Sequence, residues 1–450
     1  MIIKSISGIR GIVDKEFNPL VVLNFAAKFG EFMGNKIVVG RDSRKSGLAF
    51  KNAVISGLLG VGVDVIDLDL VPTPTLLYNV KKLKASGGII VTASHNPSSW
   101  NALKLVSSSG EFLNEEEANK FFGMEGEEIL WEIGENYGEL DIDKLAVERH
   151  IEGVVRALRM DSNLMKKRKF KVVLDCVNGG ASFAFQDFLN FLGVEVYPLF
   201  CDGNGIFLRN PEPRKENVKE LANKVKEIGA DIGFATDPDG DRILIVLENG
   251  KPISEEYTIT LAVKAILSKN KGPVVVNLST TKSVEDVAAR AGVPFYRSPV
   301  GEANVIKVMK EKKAIIGGEG NGGVIDPKVH YARDGMVAMG LILRYLFEEE
   351  RPISSIFEEL PRYEMVKEAI KMESEADARR VLERIKERTK EKNLDLTDGI
   401  RFGEDNYWVH IRRSGTEPVL RIIAEATTIN KAKEIVELVK EKGNIKCVGL

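Results

Sequence analysis

One pattern occurs three times in this chain and constrains the fold more than any other feature. It is a short apolar strand, a polar loop, a helix ending at Gly, a second strand, a second helix, and a third strand entering a Gly- or Asp-rich loop. The first copy begins at KIVVGRDSR (36–44), continues through AVISGLLGVGVDVIDLDL and ends at ASGGIIVTASHNP. The second begins at KVVLDCVNG (171–179), continues through FLNFLGVEVYPLF and ends at KEIGADIGFATDPDGD. The third begins at PVVVNLST (273–280), continues through VAARAGVPFYRSPVG and ends at KAIIGGEGNGG. Val- and Ile-rich runs bounded by Gly are how strands buried on both faces read. Strands alternating with helical stretches imply α/β domains with largely parallel sheets. Three similar scaffolds ending in three different loops point to one site where three domains meet. Three ordinary α/β domains with unrelated loops is the competing expectation.

After residue 360 the pattern changes. A helical stretch, AMGLILRYLFEEE, closes the third copy; a helix over 375–392, strands within 400–426 and a last helix over 430–442 then read as a smaller α+β unit. The expected fold is α/β: three related mixed α/β domains around a central active-site cleft, plus a C-terminal α+β domain. The expected divisions are 1–150, 151–250, 251–360 and 361–450. A chain of 450 residues exceeds what one core usually supports, which agrees. A net charge of −2 gives no reason to expect nucleic acid or an anionic membrane as partner. The opening MIIKSISGIRG lacks the apolar core of a signal peptide, and no run is long enough to span a membrane. Cys176, Cys201 and Cys447 are widely spaced and odd in number, which argues against a disulfide framework or zinc site and suits a reducing cytoplasm. A single Gln (Gln186) among many Lys and Glu leans toward a thermophile.

Each loop carries its own chemistry. In VTASHNPSSWN (91–101) an apolar strand runs into Ser94, His95, Asn96 and Pro97, so a hydroxyl and an imidazole sit side by side at a strand end. ATDPDGDRILIV (235–246) puts Asp237, Asp239 and Asp241 at alternate positions on a tight turn. Three carboxylates so close repel unless a cation sits among them, and hard oxygen ligands suit Mg²⁺ or Ca²⁺. An EF-hand is excluded because Arg242 stands where its Gly belongs and ILIVL reads as a strand. The plainer reading is a solvated acidic turn. Arg242 beside the cluster suits a phosphate. GGEGNGG (317–323) surrounds Glu319 and Asn321 with Gly, so backbone can approach a ligand closely, and the Glu/Asn pair suits sugar hydroxyls. RRSGTEP (412–418) combines Arg412, Ser414, Gly415 and Thr416 in a turn that can bind an anion, with Arg421 nearby. A charged hairpin turn is its plainer reading. Arg10 in SGIRG and Lys104 in NALK are candidate phosphate or proton-transfer groups. In GRDSRKSG, Arg41, Arg44 and Lys45 either steer an anionic substrate or tie the first domain together through Asp42.

With these motifs in this order, the chain resembles the α-D-phosphohexomutase superfamily, in the form of its archaeal-type members. The likeness runs from SGIRG through GRDSR, TASHNP, NALK, DPDGDR and GGEGNGG to RRSGTEP; TASHNP with DPDGDR is the specific pair. The resemblance implies four domains and a cytoplasmic phosphohexomutase. It would interconvert hexose 1- and 6-phosphates of mannose, glucose or glucosamine through a hexose 1,6-bisphosphate. It implies that Ser94 carries the phosphoryl group and that Mg²⁺ is held by Asp237, Asp239 and Asp241 with the Ser94 phosphate. His95, Lys104 and Arg10 would serve transfer. Arg242, Glu319, Asn321 and the loop Arg412–Thr416 with Arg421 would hold substrate. A homodimer is one assembly the reading leaves open. Two features depart from the family pattern: Asn321 and Gly323 stand where many relatives carry Ser and His, and Arg413 replaces a Pro. His330 lies near the vacated His in sequence. The rival classes are a phosphoglucosamine-specific mutase, a metal-dependent sugar phosphatase, and a non-catalytic sugar-phosphate binding protein.

Overall fold

The structure, a computed structural model, describes residues 2–6, 8–124, 126–389, 394–413 and 419–445. The threefold repeat is visible as three sheets of one topology. In the second, Lys171–Asp175 lies between the parallel strands Glu195–Leu199 and Ile232–Thr236, and Ile243–Leu247 closes the sheet antiparallel. In the third, Val274–Asn277 lies between parallel Phe295–Ser298 and Ile316–Glu319, and Gly323–Ile325 closes it antiparallel. In the first, Lys36–Arg41 lies between parallel Asp64–Leu70 and Gly87–Val91, with Trp100–Ser107 antiparallel beyond. That sheet reaches seven strands by adding Gly8–Ile12 and Ile2–Ser5 on one edge and Leu140–Ile142 on the other.

The sheets are therefore less parallel than the sequence suggests. Each third strand turns back on a fourth, antiparallel one. The three distinctive loops are the connections of these hairpins, which is why each can project beyond its sheet.

The repeat is written into the backbone at one more point. The first helix of each copy, Gly47–Gly60, Ser182–Phe191 and Lys282–Arg290, is followed by a Gly-Val step. Gly62, Gly193 and Gly292 have φ of 75°, 73° and 67°, the left-handed region open to Gly. The next amide of each reaches back to the last helical turn: Val63 to Leu58, Val194 to Leu189 and Val293 to Ala288, at 3.1, 3.0 and 3.1 Å. This is the glycine helix stop. It ends each copy's first helix just before its second strand.

The core does not divide by copy. One apolar cluster runs through the second and third sheets and includes the helix Gly335–Glu349, buried along most of its length. Asp334 caps that helix, its Oδ1 accepting from the amides of Met336 and Val337. Gly340 lets the helix pass close to Leu158 and Phe188. The first domain has one cluster wholly its own and a second that takes in Ala332 from the segment before that helix. The C-terminal unit is an antiparallel sheet in the order Glu364–Lys371, Val419–Ala426, Tyr407–Arg413, Ile400–Glu404. The helices Glu375–Arg388 and Ile429–Gly443 cover it, capped by Ser374 and Thr428. Residues 390–392 of the expected 375–392 helix lie outside the described residues. Among the described residues no helix is long and apolar enough to cross a membrane.

Candidate active site

Ser94 follows the buried strand Gly87–Val91 at φ 49°, a left-handed conformation uncommon outside Gly. A buried network holds it there. The Ser94 amide donates to Thr92 Oγ1 at 3.0 Å, and that hydroxyl donates to Asp42 Oδ2 at 2.6 Å. The Arg44 guanidinium donates to the carbonyls of Ser94, Asn96, Pro97 and Trp100 at 2.6, 2.7, 2.5 and 3.0 Å, and its Nε bonds Asp42 at 3.0 Å. Arg44 is fully buried, so it ties the loop together and does not steer a ligand; Arg41 is held by Asp69 at 2.9 Å. Of the two sequence readings of GRDSRKSG, the structural one applies to these two residues.

The Ser94 hydroxyl donates to Asp237 Oδ2 at 2.9 Å across the first and second domains. Asp237, Asp239 and Asp241 are buried, and one carboxylate oxygen of each lies within 4.8 Å of the others. The Oδ1 atoms of all three are buried with no hydrogen-bond partner. Burial, then the charges of Asp239 and Asp241, push the Asp237 carboxyl well above the usual range. Burial would raise Asp239 too, but Lys104 and hydrogen bonds from Asp237 and Thr73 outweigh it and hold it low. Converging buried oxygens without donors are costly unless charge arrives to meet them. An all-carboxylate set suits a hard divalent cation, so the residues present fit one. A solvated acidic turn is excluded by the burial.

Lys104 comes from the antiparallel strand Trp100–Ser107, and its Nζ meets Asp239 Oδ2 at 2.5 Å. Thr73 Oγ1 donates to the same oxygen at 2.9 Å. Arg10 pairs with Ala102 on the neighbouring strand while Lys104 pairs with Gly8, so both cations lie on one face of the sheet. His95 Nδ1 is 3.4 Å from the Ser94 hydroxyl. The Arg242 guanidinium first, then burial, push its imidazole down to about 2, so it is neutral at ordinary pH. Arg242 Nε lies 3.5 Å from Asp241 Oδ1.

Glu319 ends the third strand of the third sheet. Its carboxylate accepts from Asn277 Nδ2 at 2.8 Å, Arg333 Nη1 at 2.6 Å and Asn321 Nδ2 at 3.4 Å. Asn321 Oδ1 accepts from the Gly323 amide at 3.2 Å. The loop is joined to the Asp loop through its backbone, the Ile243 amide donating to the Gly322 carbonyl at 3.0 Å. Arg412 and Arg421 face each other across paired strands of the C-terminal sheet, and Arg421 is exposed. Burial, with Arg421, lowers the Arg412 guanidinium, while Asp398 and Glu319 oppose. Ser414, Gly415 and Thr416 lie outside the described residues.

The structure thus brings together Ser94, His95, Lys104, the three Asp, Arg242, Glu319 and Asn321, and puts Arg412 in the electrostatic reach of Glu319. His330 does not join them. It sits in a separate buried cluster where Asp334 Oδ2 accepts from His330 Nε2 and His150 Nε2, each at 2.9 Å, and Thr75 bonds His150 Nδ1. Sequence reasoning missed Thr73 and Arg333. Arg333 bonds Asp241 at 2.5 Å and Glu319 at 2.6 Å, linking the two loops. Its only sequence signal is a place one residue before the helix-capping Asp334.

Phosphoglucomutase/phosphomannomutase family models match the chain in four parts. They are alpha/beta/alpha domain I at 2–122, domain II at 148–250, domain III at 254–363 and the C-terminal domain at 366–442. A phosphoglucomutase/phosphomannomutase of Thermococcus kodakarensis is 36% identical over 96% of this chain and 96% of its own. A probable phosphoglucosamine mutase of Methanopyrus kandleri is 34% identical over 95% of each. The crystal structure of a phosphoglucomutase/phosphomannomutase family protein from Burkholderia thailandensis superposes with a TM-score of 0.85 at 25% identity over 99% of both chains. Repeated sheets, a Ser hydroxyl on a buried carboxylate triad, and these matches along nearly the whole chain have one reading: the chain belongs to the phosphoglucomutase/phosphomannomutase family of α-D-phosphohexomutases, isomerases that act as intramolecular phosphotransferases.

Proposed function

We propose that this enzyme interconverts hexose 1-phosphates and hexose 6-phosphates of mannose and glucose in the cytoplasm, with Ser94 as phosphoryl carrier. The observation that carries the reading is the Ser94 hydroxyl 2.9 Å from Asp237, at the edge of three buried carboxylates. In the forward step the P–Oγ bond of phosphorylated Ser94 breaks and a P–O bond forms to a sugar hydroxyl, whose proton leaves to a base. The bisphosphorylated sugar then turns, and its other phosphoryl group returns to Ser94 Oγ. Such transfers depend on charge stabilisation and in-line positioning more than on covalent help.

The residues divide this work. Asp237, Asp239 and Asp241, with the Ser94 phosphate, would hold Mg²⁺, which when bound neutralises charge on the transferring phosphoryl oxygens. His95, whose Nδ1 lies 3.4 Å from Ser94 Oγ, is placed to contact the transferring group, and with its imidazole pushed down to about 2 by Arg242 and burial it is a weak base. Lys104 and Arg10, on one sheet face, suit the transferring phosphate. Arg242, Glu319 and Asn321 line the sugar's place, and Arg412, Ser414, Gly415, Thr416 and Arg421 suit the phosphate that is not reacting. In this reading each division of the chain supplies one loop, with the phosphoserine loop in 1–150, the metal loop in 151–250, the sugar loop in 251–360 and the distal phosphate loop in 361–450.

Relatives of nearly equal identity carry phosphomannomutase and phosphoglucosamine mutase names, so glucosamine 6-phosphate is the alternative substrate. One assay tests the reading. The protein receives glucose 1-phosphate, mannose 1-phosphate or glucosamine 6-phosphate with Mg²⁺ and a trace of hexose 1,6-bisphosphate. Isomer and free phosphate are both followed. Isomer without stoichiometric phosphate is expected. Phosphate release without isomer would make the protein a phosphatase, and neither product would make it a binding protein.

A further inference from the structure

Arg333 stands between the strand Gly323–Ile325 and the helix Gly335–Glu349, and the proposed chemistry gives it no role. Its guanidinium is nearly buried and meets carboxylates on three segments: Asp241 Oδ2 at 2.5 Å, Glu319 Oε2 at 2.6 Å and Glu302 Oε2 at 3.3 Å. Its backbone amide also bonds Glu302 Oε1 at 2.7 Å. The side chain runs over Gly323. A Cβ there would lie 2.3 Å from Arg333 Cδ and 2.9 Å from Cγ. Gly323 is not among the positive-φ glycines, so its backbone does not require Gly; the space does. The sugar loop is thus emptied at one position to let an arginine pass to the Asp loop.

The chemistry of that arrangement has two sides. A planar guanidinium can bind two carboxylates at once, which a lysine ammonium on one stem does poorly. Arg333 therefore fixes Glu319 and Asp241 relative to each other. It also places a positive charge in contact with a carboxylate of the proposed cation site, and like charges compete. Asp241 Oδ2 faces Arg333, while its Oδ1 lies buried without a hydrogen-bond partner.

We propose that Arg333 is a positioning residue that couples the two loops: it orients Glu319 for the sugar phosphate and, through Asp241, weakens the hold on the divalent cation. The inference rests on the reading of the Asp triad as a cation site and of 317–323 as the sugar loop. A cation held less tightly leaves the triad able to adjust as the phosphoryl group moves. A salt bridge that only stabilised the fold would behave differently, since its loss would loosen both sites together.

The test needs no turnover. Full-length dephosphorylated protein is titrated with Mn²⁺, free ion being read by electron paramagnetic resonance. Separately, metal-free protein is titrated with glucose 1-phosphate by calorimetry. Arg333→Met should bind Mn²⁺ about tenfold more tightly and glucose 1-phosphate about tenfold more weakly, each reflecting one charged hydrogen bond. Arg333→Lys keeps the charge but not the fork, so Mn²⁺ affinity should stay near that of the unaltered protein while sugar-phosphate affinity still falls. Gly323→Ala displaces the guanidinium without deleting it and should shift both affinities as Arg333→Met does. It carries the test alone if Arg333→Met does not fold. Both affinities falling together, or neither moving, overturns this inference and leaves the proposed function intact. Unaltered protein that binds neither Mn²⁺ nor glucose 1-phosphate overturns the proposed function and this inference with it.

Discussion

At the scale of single residues, the site is organised by charges that are buried and shared. Arg44 supplies hydrogen bonds to four carbonyls of the Ser94 loop and to Asp42. Arg44→Met would leave Asp42 as a buried carboxylate without its cation and those carbonyls without donors. Breaking a buried pair from one side costs about 3–5 kcal/mol. Denaturant unfolding should show a loss of that order, with isomerase activity falling further than stability because Ser94 loses its left-handed position. Asp239 is the other shared charge, accepting from both Lys104 and Thr73. Asp239→Asn should lower activity by orders of magnitude, since a cation's stabilisation of transferring charge is worth several kcal/mol. A chelator should abolish activity in the unaltered protein and added Mg²⁺ should restore it. Full activity of Asp239→Asn after chelation would show that the triad holds no functional cation.

At the scale of elements, the hairpin is the unit that places chemistry. A parallel strand that ends in a crossover would leave its loop on the way to a helix. Here each third strand returns antiparallel at once, so a loop of a few residues carries the reactive groups and is anchored on both sides. The loop of the third sheet depends on Gly322, at φ 92°. A Cβ on it would lie 2.5 Å from the Ile243 carbonyl oxygen, the residue whose amide bonds the Gly322 carbonyl. Gly322→Ala should therefore cost roughly 1–3 kcal/mol in strained backbone. It should also separate the sugar loop from the Asp loop. The KM for hexose phosphate should rise while the melting temperature falls by a few degrees. An unchanged KM would mean that contact between the two loops does not shape the substrate's place.

At the scale of the whole molecule, the second and third domains share one core, whereas the C-terminal domain is docked largely through polar contacts. Lys367 of its first strand meets Glu255 at 2.9 Å and Glu256 at 2.8 Å, and Glu256 Oε2 also accepts from the Thr281 amide at 3.0 Å. One ammonium serves two carboxylates, and burial pushes Glu256 up to about 7 although Lys367 opposes it. In the unfolded chain a Glu titrates near its ordinary value of about 4.3. A folded pKa above the unfolded one contributes stability that is fully present below the unfolded value and is lost as pH rises through about 7. Stability should thus decline between about pH 4.3 and 7, by an amount on the order of 3 kcal/mol from this group. Glu256→Gln should flatten that decline, read by denaturant unfolding at pH 5 and pH 8. A slope identical to that of the unaltered protein would show that Glu256 does not titrate in this window. The junction also lies beside the sugar loop, since a Cβ on Gly320 would run into Glu256 Oε2.

What the amino-acid order determined by itself is what neighbouring residues determine together. Buried strands were legible as Val/Ile runs, helix ends as Gly, and the acidic turn as three Asp at alternate positions, because each signal spans fewer than ten residues. The one exception at that scale was the fourth strand of each sheet: a short apolar run after a loop does not declare its direction. What only the tertiary structure decided is where a charge without a local partner ends up. In sequence Arg333 and Glu256 stand beside Asp334 and Glu255 and show no other partner, and charged residues of that kind are usually solvated. Their partners lie far away, Asp241 92 positions from Arg333 and Lys367 111 from Glu256 (367 less 256), whereas Arg44 meets its opposite charge, Asp42, two positions away and reaches across 50 only for the Ser94 carbonyl. Burial turns these charges into organising contacts, because a charge removed from water must find its opposite or lose its ionisation. No local pattern records which opposite it finds. The folding of three repeats and a fourth domain against one another makes that choice.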